Sequence, residues 1–211
     1  MSIVYDADTG EQISYIEEEN YFKGFEQVKK GDYKFVKVDA DNHELSGIPF
    51  KITSQTTGEW HIVVTDANGI VDTSAKNIPH TQKTNANDAN YNPTTGKIID
   101  ESKLIDDAGC WFAIDTETGK VAEPVDSIGA LPYDTYTVEE LEISKNTIYY
   151  PFGTKSFVVS KDEYEIDGGT WVNSKNLCIT ESRGIDGTQE LYATERETAI
   201  DRVYYEGLLE G

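Results

Sequence analysis

Hydrophobic and polar residues alternate along most of this chain, in short runs. KFVKVDA, from Lys34 to Ala40, is the first clear one. Successive side chains of a strand point to opposite faces. Val36 and Val38 therefore share one face, and Phe35, Lys37 and Asp39 the other. IPFKITSQ, WHIVVTD and IVDTS read as further strands, separated by the Asp- and Asn-rich DADNHELSG, by TTGE and by the tight turn ANG. Near the start, IVYDADTGEQISY predicts a hairpin around its DTG turn. Tyr21, Phe22, Phe25 and Val28 have helix-compatible spacing that Gly24 weakens, so residues 1–30 read as a lead-in. Farther on, CWFAIDTETGK predicts a strand and a turn, and LPYDTYTVEELEI a strand. KSFVVSKDEYEI predicts a hairpin-like strand and turn, and GGTWVNSKN a closing strand ending at Asn173. Strands at this spacing predict an all-β sandwich or barrel.

Residues 75–109 break the rhythm. They are rich in Asn, Asp and Thr, with apolar content only around Ile98, Ile99, Leu104 and Ile105. The stretch is longer than an ordinary loop, so it reads as an insertion with a function of its own or as a floppy excursion. Within it, PHTQKTN holds His80, expected to hydrogen-bond the loop. No serine or cysteine nucleophile signature accompanies it, and His43, His61 and His80 lack metal-ligand spacing.

Charge narrows the partners. The 211 residues carry a net charge of −21, spread along the whole length. That argues against nucleic acid, whose phosphates would be repelled, and for a soluble surface. No apolar run approaches the ~20 residues that span a membrane, so no membrane insertion is expected. Met1 opens no signal peptide, and Gly211 closes no sorting signal or hydrophobic tail. The chain is then either cytosolic or a piece of a longer secreted protein. The ending EGLLEG reads as an interruption in mid-structure, which favours the piece. Cys110 and Cys178 fit neither a disulfide framework nor a zinc site; a single bridge and two half-buried thiols both remain open. No cofactor or metal is expected.

Two charged residues sit oddly on their strands. If the Phe35 face is the buried one, Lys37 enters the core with it, which is costly unless the amine is paired or chemically used. A solvated or edge-strand lysine is the plain alternative. Glu140 shares its face with Tyr136 and Val138, so a carboxylate lands among apolar neighbours. Glu139, on the other face, would be the solvated one.

FVKVDADNHELSGIPFKI resembles the first two strands of the Cna B-type, or SpaA-like, pilin domain of Gram-positive surface proteins. There a lysine, x-Asp, a turn, Leu and x-Gly-x-x-Phe open the domain. LPYDTYTVEEL resembles a later strand of that family, in which a glutamate stands four residues after a tyrosine; the match picks out Glu140. The resemblance covers residues 31–173. PHT…TN followed by GALPYDTY is similar to the variant that precedes VaFE repeats, and ITES…AIDRVYYEGLLEG to the opening of such a repeat. The resemblance implies a Greek-key immunoglobulin-like or prealbumin-like β-sandwich with a long polar insertion, followed at 174–211 by the first strands of a truncated VaFE-like domain.

It also implies chemistry. In the family the lysine forms a spontaneous amide with an asparagine or aspartate of the last strand, helped by the glutamate. Here those residues are Lys37, Glu140 and Asn173, with Asn176 as runner-up for the third; an Asn173 that only caps its strand is the plain alternative. Burial beside Phe35 would push the amine toward its neutral, nucleophilic form, and Glu140 would polarise the target carbonyl. VaFE repeats carry Thr–Gln ester cross-links, and Thr180 stands at the reactive threonine, with its partner strand expected beyond Gly211.

Three functions follow as expectations. The first is a stalk or spacer module of a cell-wall-anchored adhesin or pilin-like protein, outside the cell, flanked by neighbouring repeat domains. The second is an adhesin module whose 75–109 insertion holds a host matrix protein or glycan through exposed Tyr and Asn side chains. The third is a β-sandwich hydrolase using carboxylates among Asp106, Asp107, Asp115 and Asp134. With 39 acidic residues such pairs arise by chance.

Overall fold

The alternating runs fold as strands. In this computed structural model the described residues are 2–5, 12–16, 30–150, 152–175, 177–184 and 199–206, with those outside 30–175 described by backbone pairing. β1 (Ser2–Tyr5) and β2 (Gln12–Ile16) pair antiparallel. Next come β3 (Lys30–Asp39), β4 (Pro49–Ser54), β5 (Trp60–Val64) and β6 (Ile70–Asp72). A long excursion holds the two-residue strands β7 (Tyr91–Asn92) and β8 (Lys97–Ile98). β9 (Leu131–Pro132), β10 (Asp134–Glu140), β11 (Thr154–Val159) and β12 (Glu165–Asn173) follow. β13 (Leu177–Gly184) and β14 (Ala199–Glu206) pair antiparallel with each other.

Two sheets face each other across one core. One has the antiparallel order β11-β10-β4-β5; the other has β12-β3-β6, with β9 on the start of β3. β12 lies parallel to β3, with Trp171 opposite Lys37 and Asn173 opposite Asp39. The first and last strands of the sandwich thus run side by side in one direction. Between the sheets pack Tyr33, Phe35, Phe50, Ile52, Tyr136, Val138, Ile166 and Trp171. Phe35 and Trp171 stack at 4.3 Å, and Phe50 meets both edge-on at 4.8 and 5.6 Å. Each such side chain contributes about 2 kcal/mol by leaving water, before ordering costs.

Two expected elements differ. KSFVVSKDEYEI is not a hairpin, because β11 and β12 belong to different sheets. A tight turn closes from Ser160 N to Glu163 O, and the Tyr164 carbonyl then accepts from Asp32 N at 2.7 Å, which draws the chain across to β3. CWFAIDTETGK forms no strand. The backbone N–H groups of Ala113 and Ile114 go to the Glu59 carboxylate at 2.7 and 3.0 Å, not to a neighbouring strand. Only an isolated bridge, Ile114 to Val121, remains. The irregular stretch therefore extends past 109 to the start of β9.

That stretch is not a floppy excursion. Three asparagines each grip one residue's backbone at both its N–H and its C=O. Asn85 holds Trp111 (2.9 and 2.8 Å), Asn87 holds Ile105 (3.0 and 2.8 Å) and Asn90 holds Asp100 (3.0 and 2.7 Å). A carboxamide carries the same donor and acceptor as a peptide unit, so each acts as one rung of a ladder. Gly69 closes the turn before β6 at φ +70°; a Cβ there would sit 2.4 Å from the Lys37 carbonyl oxygen. Only glycine lets this turn lie against β3.

Candidate functional site

β3 brings Lys37 into the core because its Phe35 face packs inward, as one of the two readings of the strand had it. The side chain is fully buried. The facing sheet supplies Glu140 at the end of β10, its side chain 5 % exposed. The same sheet as Lys37 supplies Asn173, 1 % exposed, at the end of β12. Lys37 Nζ donates to Asn173 Oδ1. Asn173 Nδ2 donates to Glu140 Oε1 at 2.9 Å, and Glu140 Oε2 lies 3.2 Å from Lys37 Nζ. The three residues close a ring of polar contacts spanning both sheets. The Asn173 amide has one sensible orientation, since its NH2 end would be repelled by the lysine amine.

Aromatic rings wall the ring off. Lys37 Nζ sits 4.1 Å from the centre of the Phe152 ring, which stacks on Trp171 at 4.7 Å. The exposed Lys155 ammonium caps the same pair, 4.8 and 4.5 Å from the two rings. Burial holds the Lys37 amine below the usual lysine range; Glu140 opposes this, and Lys155 adds to it. Glu139, by contrast, pairs with Lys51 at 2.7 Å near the surface, as expected of the solvated glutamate.

The remaining candidates fall elsewhere. Asn176 lies outside the described residues, and of Thr180 only the backbone pairing with Val203 is described. His80 is fully buried, with Nδ1 2.8 Å from Val125 O and Nε2 2.9 Å from Thr73 O, so it ties the loop as expected. Cys110 is a buried free thiol, and burial pushes it far above the usual thiol range. The four aspartates form no catalytic pair. Asp134 accepts from Ser54, Thr56 and Thr135; Asp107 pairs with Lys83; Asp115 caps the 116–118 turn; Asp106 is exposed. Of the insertion's Tyr and Asn side chains, Asn77 is exposed and Asn85 and Asn92 are partly buried. Tyr91, Asn87 and Asn90 are buried, because they supply packing and ladder rungs.

Sequence reasoning missed two sets. Asn146 donates to Glu140 Oε1 at 2.8 Å; nothing in its local sequence marks it. His61 lies between Asp88 (2.7 Å) and Glu59 (3.1 Å). Burial works against charge on the imidazole, but the bonds from Asp88 and Glu59 outweigh it and raise its pKa. The alternation of WHIVVTD placed His61 on a strand face; the partner Asp88 comes from the insertion and had no sequence signal. Asp39, Asp41 and His43 gather their ligand atoms within 4.8 Å, and Lys175 sits 3.0 Å from Asp41 there.

These features define an all-β sandwich of two sheets whose first and last strands lie parallel around a buried lysine, carboxyl and carboxamide. Among the solved structures to which the chain is similar are three pilins. The major pilin subunit BcpA of Bacillus cereus is 14% identical at a TM-score of 0.37, over 70% of this chain and 30% of that one. A minor pilin of Streptococcus agalactiae is 12% identical at 0.36, over 70% and 45%. A streptococcal ancillary pilin is 13% identical at 0.37, over 86% and 48%. The chain thus spans between 30% and 48% of the length of these pilins. No protein-family model and no curated protein matches the sequence.

Proposed function

We propose that residues 31–173 are a stalk module of a Gram-positive surface protein, cross-linked internally by a spontaneous amide between Lys37 and Asn173 with Glu140 as the catalytic group. The observation that carries this reading is the closed contact of the three side chains in a dry aromatic box. A lysine is buried there beside the group it would attack, and its amine is shifted toward neutrality. The Lys37 amine attacks Cγ of Asn173 and the bond from Cγ to Nδ2 breaks. Glu140 takes a proton from the lysine at Oε2 and faces the departing nitrogen at Oε1. Of the hydrogens on the two nitrogens, one stays on the new amide and three leave as ammonia; the last rests on Glu140 or leaves with ammonia as ammonium. Holding the groups in contact replaces a bimolecular encounter, worth up to ~7–11 kcal/mol of barrier. No turnover follows, since the product is the protein itself.

Topology gives the bond its use. Tension that enters at the start of β3 and leaves at the end of β12 shears two parallel neighbours. A Lys37–Asn173 amide would carry that tension directly from strand to strand, past the sheet ladders between them. Flanking domains are the partners this role requires, with 174–211 beginning the next one, and the cell surface is its place. Intact mass under denaturing conditions tests the reading. The expected mass is short by one ammonia, and the deficit disappears in Lys37→Ala and Glu140→Ala. Full mass in well-folded protein refutes the cross-link.

A further inference from the structure

We infer that Asn146 is a positioning residue for this bond: it locks the Glu140 carboxyl so that Oε2 faces the lysine. The inference rests on the cross-link reading above. Asn146 lies in the turn after β10 and is 7 % exposed. Its amide has one orientation, fixed by the backbone. Oδ1 accepts from Ile143 N–H at 2.8 Å, so Nδ2 must be the other end. Nδ2 spends one hydrogen on Leu141 O at 3.0 Å and the other on Glu140 Oε1 at 2.8 Å.

Glu140 is thereby made asymmetric. Oε1 accepts from two carboxamides, those of Asn146 and Asn173. Oε2 is buried, has no hydrogen bond, and lies 3.2 Å from Lys37 Nζ. The terminal torsion of a glutamate is soft, and the carboxyl plane would turn freely without a second anchor. Asn173 cannot be that anchor, because it is the group consumed and its Nδ2 departs. Asn146 is untouched by the reaction and holds Oε1 throughout. The lysine proton is thus received at the one carboxyl oxygen with a free lone pair, and no reorganisation is needed when charge moves.

The test follows ammonia loss by intact mass after cell-free synthesis of the full chain, in the folded fraction isolated by size exclusion. Asn146→Ala removes the donor. Asn146→Asp keeps an acceptor for Ile143 N–H, and so the turn, but sets a second acceptor against Glu140 Oε1. Both variants are expected to slow bond formation by about ten- to hundredfold at neutral pH, the scale of a small misplacement. The rate of Asn146→Asp relative to the parent is expected to rise as pH falls, because the new carboxyl, raised above its ordinary value by burial and by the facing Glu140 carboxylate, gains a proton and donates again. A merely structural asparagine would give no such pH-dependent ratio. Rates within twofold of the parent, or a ratio flat with pH, overturn the inference and leave the cross-link standing. A parent chain that never loses ammonia overturns both.

Discussion

Replacing Asn173 by Ala isolates what the proposed cross-link would contribute to stability. The variant cannot form the amide, yet Lys37 keeps its Glu140 partner at 3.2 Å, so no buried charge is stranded. The proposed bond would join residues 136 apart. Closing a loop of that length restricts the unfolded chain by about 5 kcal/mol. In a cross-linked parent Nδ2 has already left as ammonia, so its hydrogen bond to Glu140 does not enter the difference and loop closure dominates. At ~2–4 °C per kcal/mol for a chain of this size, the variant should melt roughly 10–20 °C lower. Scanning calorimetry at neutral pH reads the midpoint, with each sample's bond state fixed by intact mass. Urea unfolding supplies a second signature. A cross-linked chain exposes less surface when unfolded, so the slope of stability against urea should be steeper in the variant. If the parent carries the bond by mass and yet melts within about 3 °C of Asn173→Ala, the loop-closure argument fails here.

Three further outcomes follow. Because burial lowers the Lys37 amine, ammonia loss should accelerate with rising pH and level off below the usual lysine range, read by quenched time points and intact mass. The His61 imidazole has a raised pKa, so its stabilising charge is fully present below its ordinary value of 6.5 and is lost as pH rises through the raised value. Amide exchange at Ile62, which donates to Asp88 at 2.8 Å, should then quicken beyond the intrinsic pH effect above neutrality, and His61→Gln should abolish that excess. Asn87→Ala orphans the N–H and C=O of Ile105 and should cost about 1–3 kcal/mol in urea unfolding, whereas an exposed substitution such as Asn68→Ala should cost far less.

Much of the sandwich was legible because alternation is local. Phe35, Phe50, Ile52, Tyr136 and Val138 announce their strands and their inward faces within a few residues. The position of Lys37 was legible for the same reason, but its burial depended on which face packed inward. Only Glu140, on a strand of the opposite sheet, could break that tie. Asn146 was not legible, since its value lies in a carboxyl six residues earlier whose direction no pattern encodes. The excursion misled for a physical reason. Asn, Asp and Thr usually signal solvated loops, because their side chains compete for backbone groups. At Asn85, Asn87 and Asn90 that same capacity is turned inward, and polar composition builds order instead of denying it. CWFAIDTETGK failed similarly: Cys110, Trp111 and Phe112 are buried, but a carboxylate from Glu59 stands where a partner strand was expected.

The two buried polar sets sit where regular pairing is weakest. A sheet ladder holds neighbours along their length, but a closing strand at a sheet edge is bound on one side only, and β12 is such a strand. Lys37, Glu140 and Asn173 meet at its last residue, the point where force along the chain would begin to peel or shear it. The excursion between β6 and β9 has no ladder to the sandwich, and Glu59, His61 and Asp88 fasten it to β5 through a buried ion cluster. Apolar packing could bury these junctions equally well, but it slides and is not directional. Charged and amide groups fix register at the cost of desolvation. In the first set that cost would also make the amine reactive under the proposed chemistry, so the contact that places the strand is the same contact that would make its attachment permanent. The second set contains no lysine amine, although the Asn85 carboxamide lies 3.4 Å from His61 Nε2, and the cluster stays reversible and pH-dependent. The Asn173→Ala and His61→Gln variants should therefore differ in kind: the first alters the unfolded state and global stability, the second the local opening of one segment.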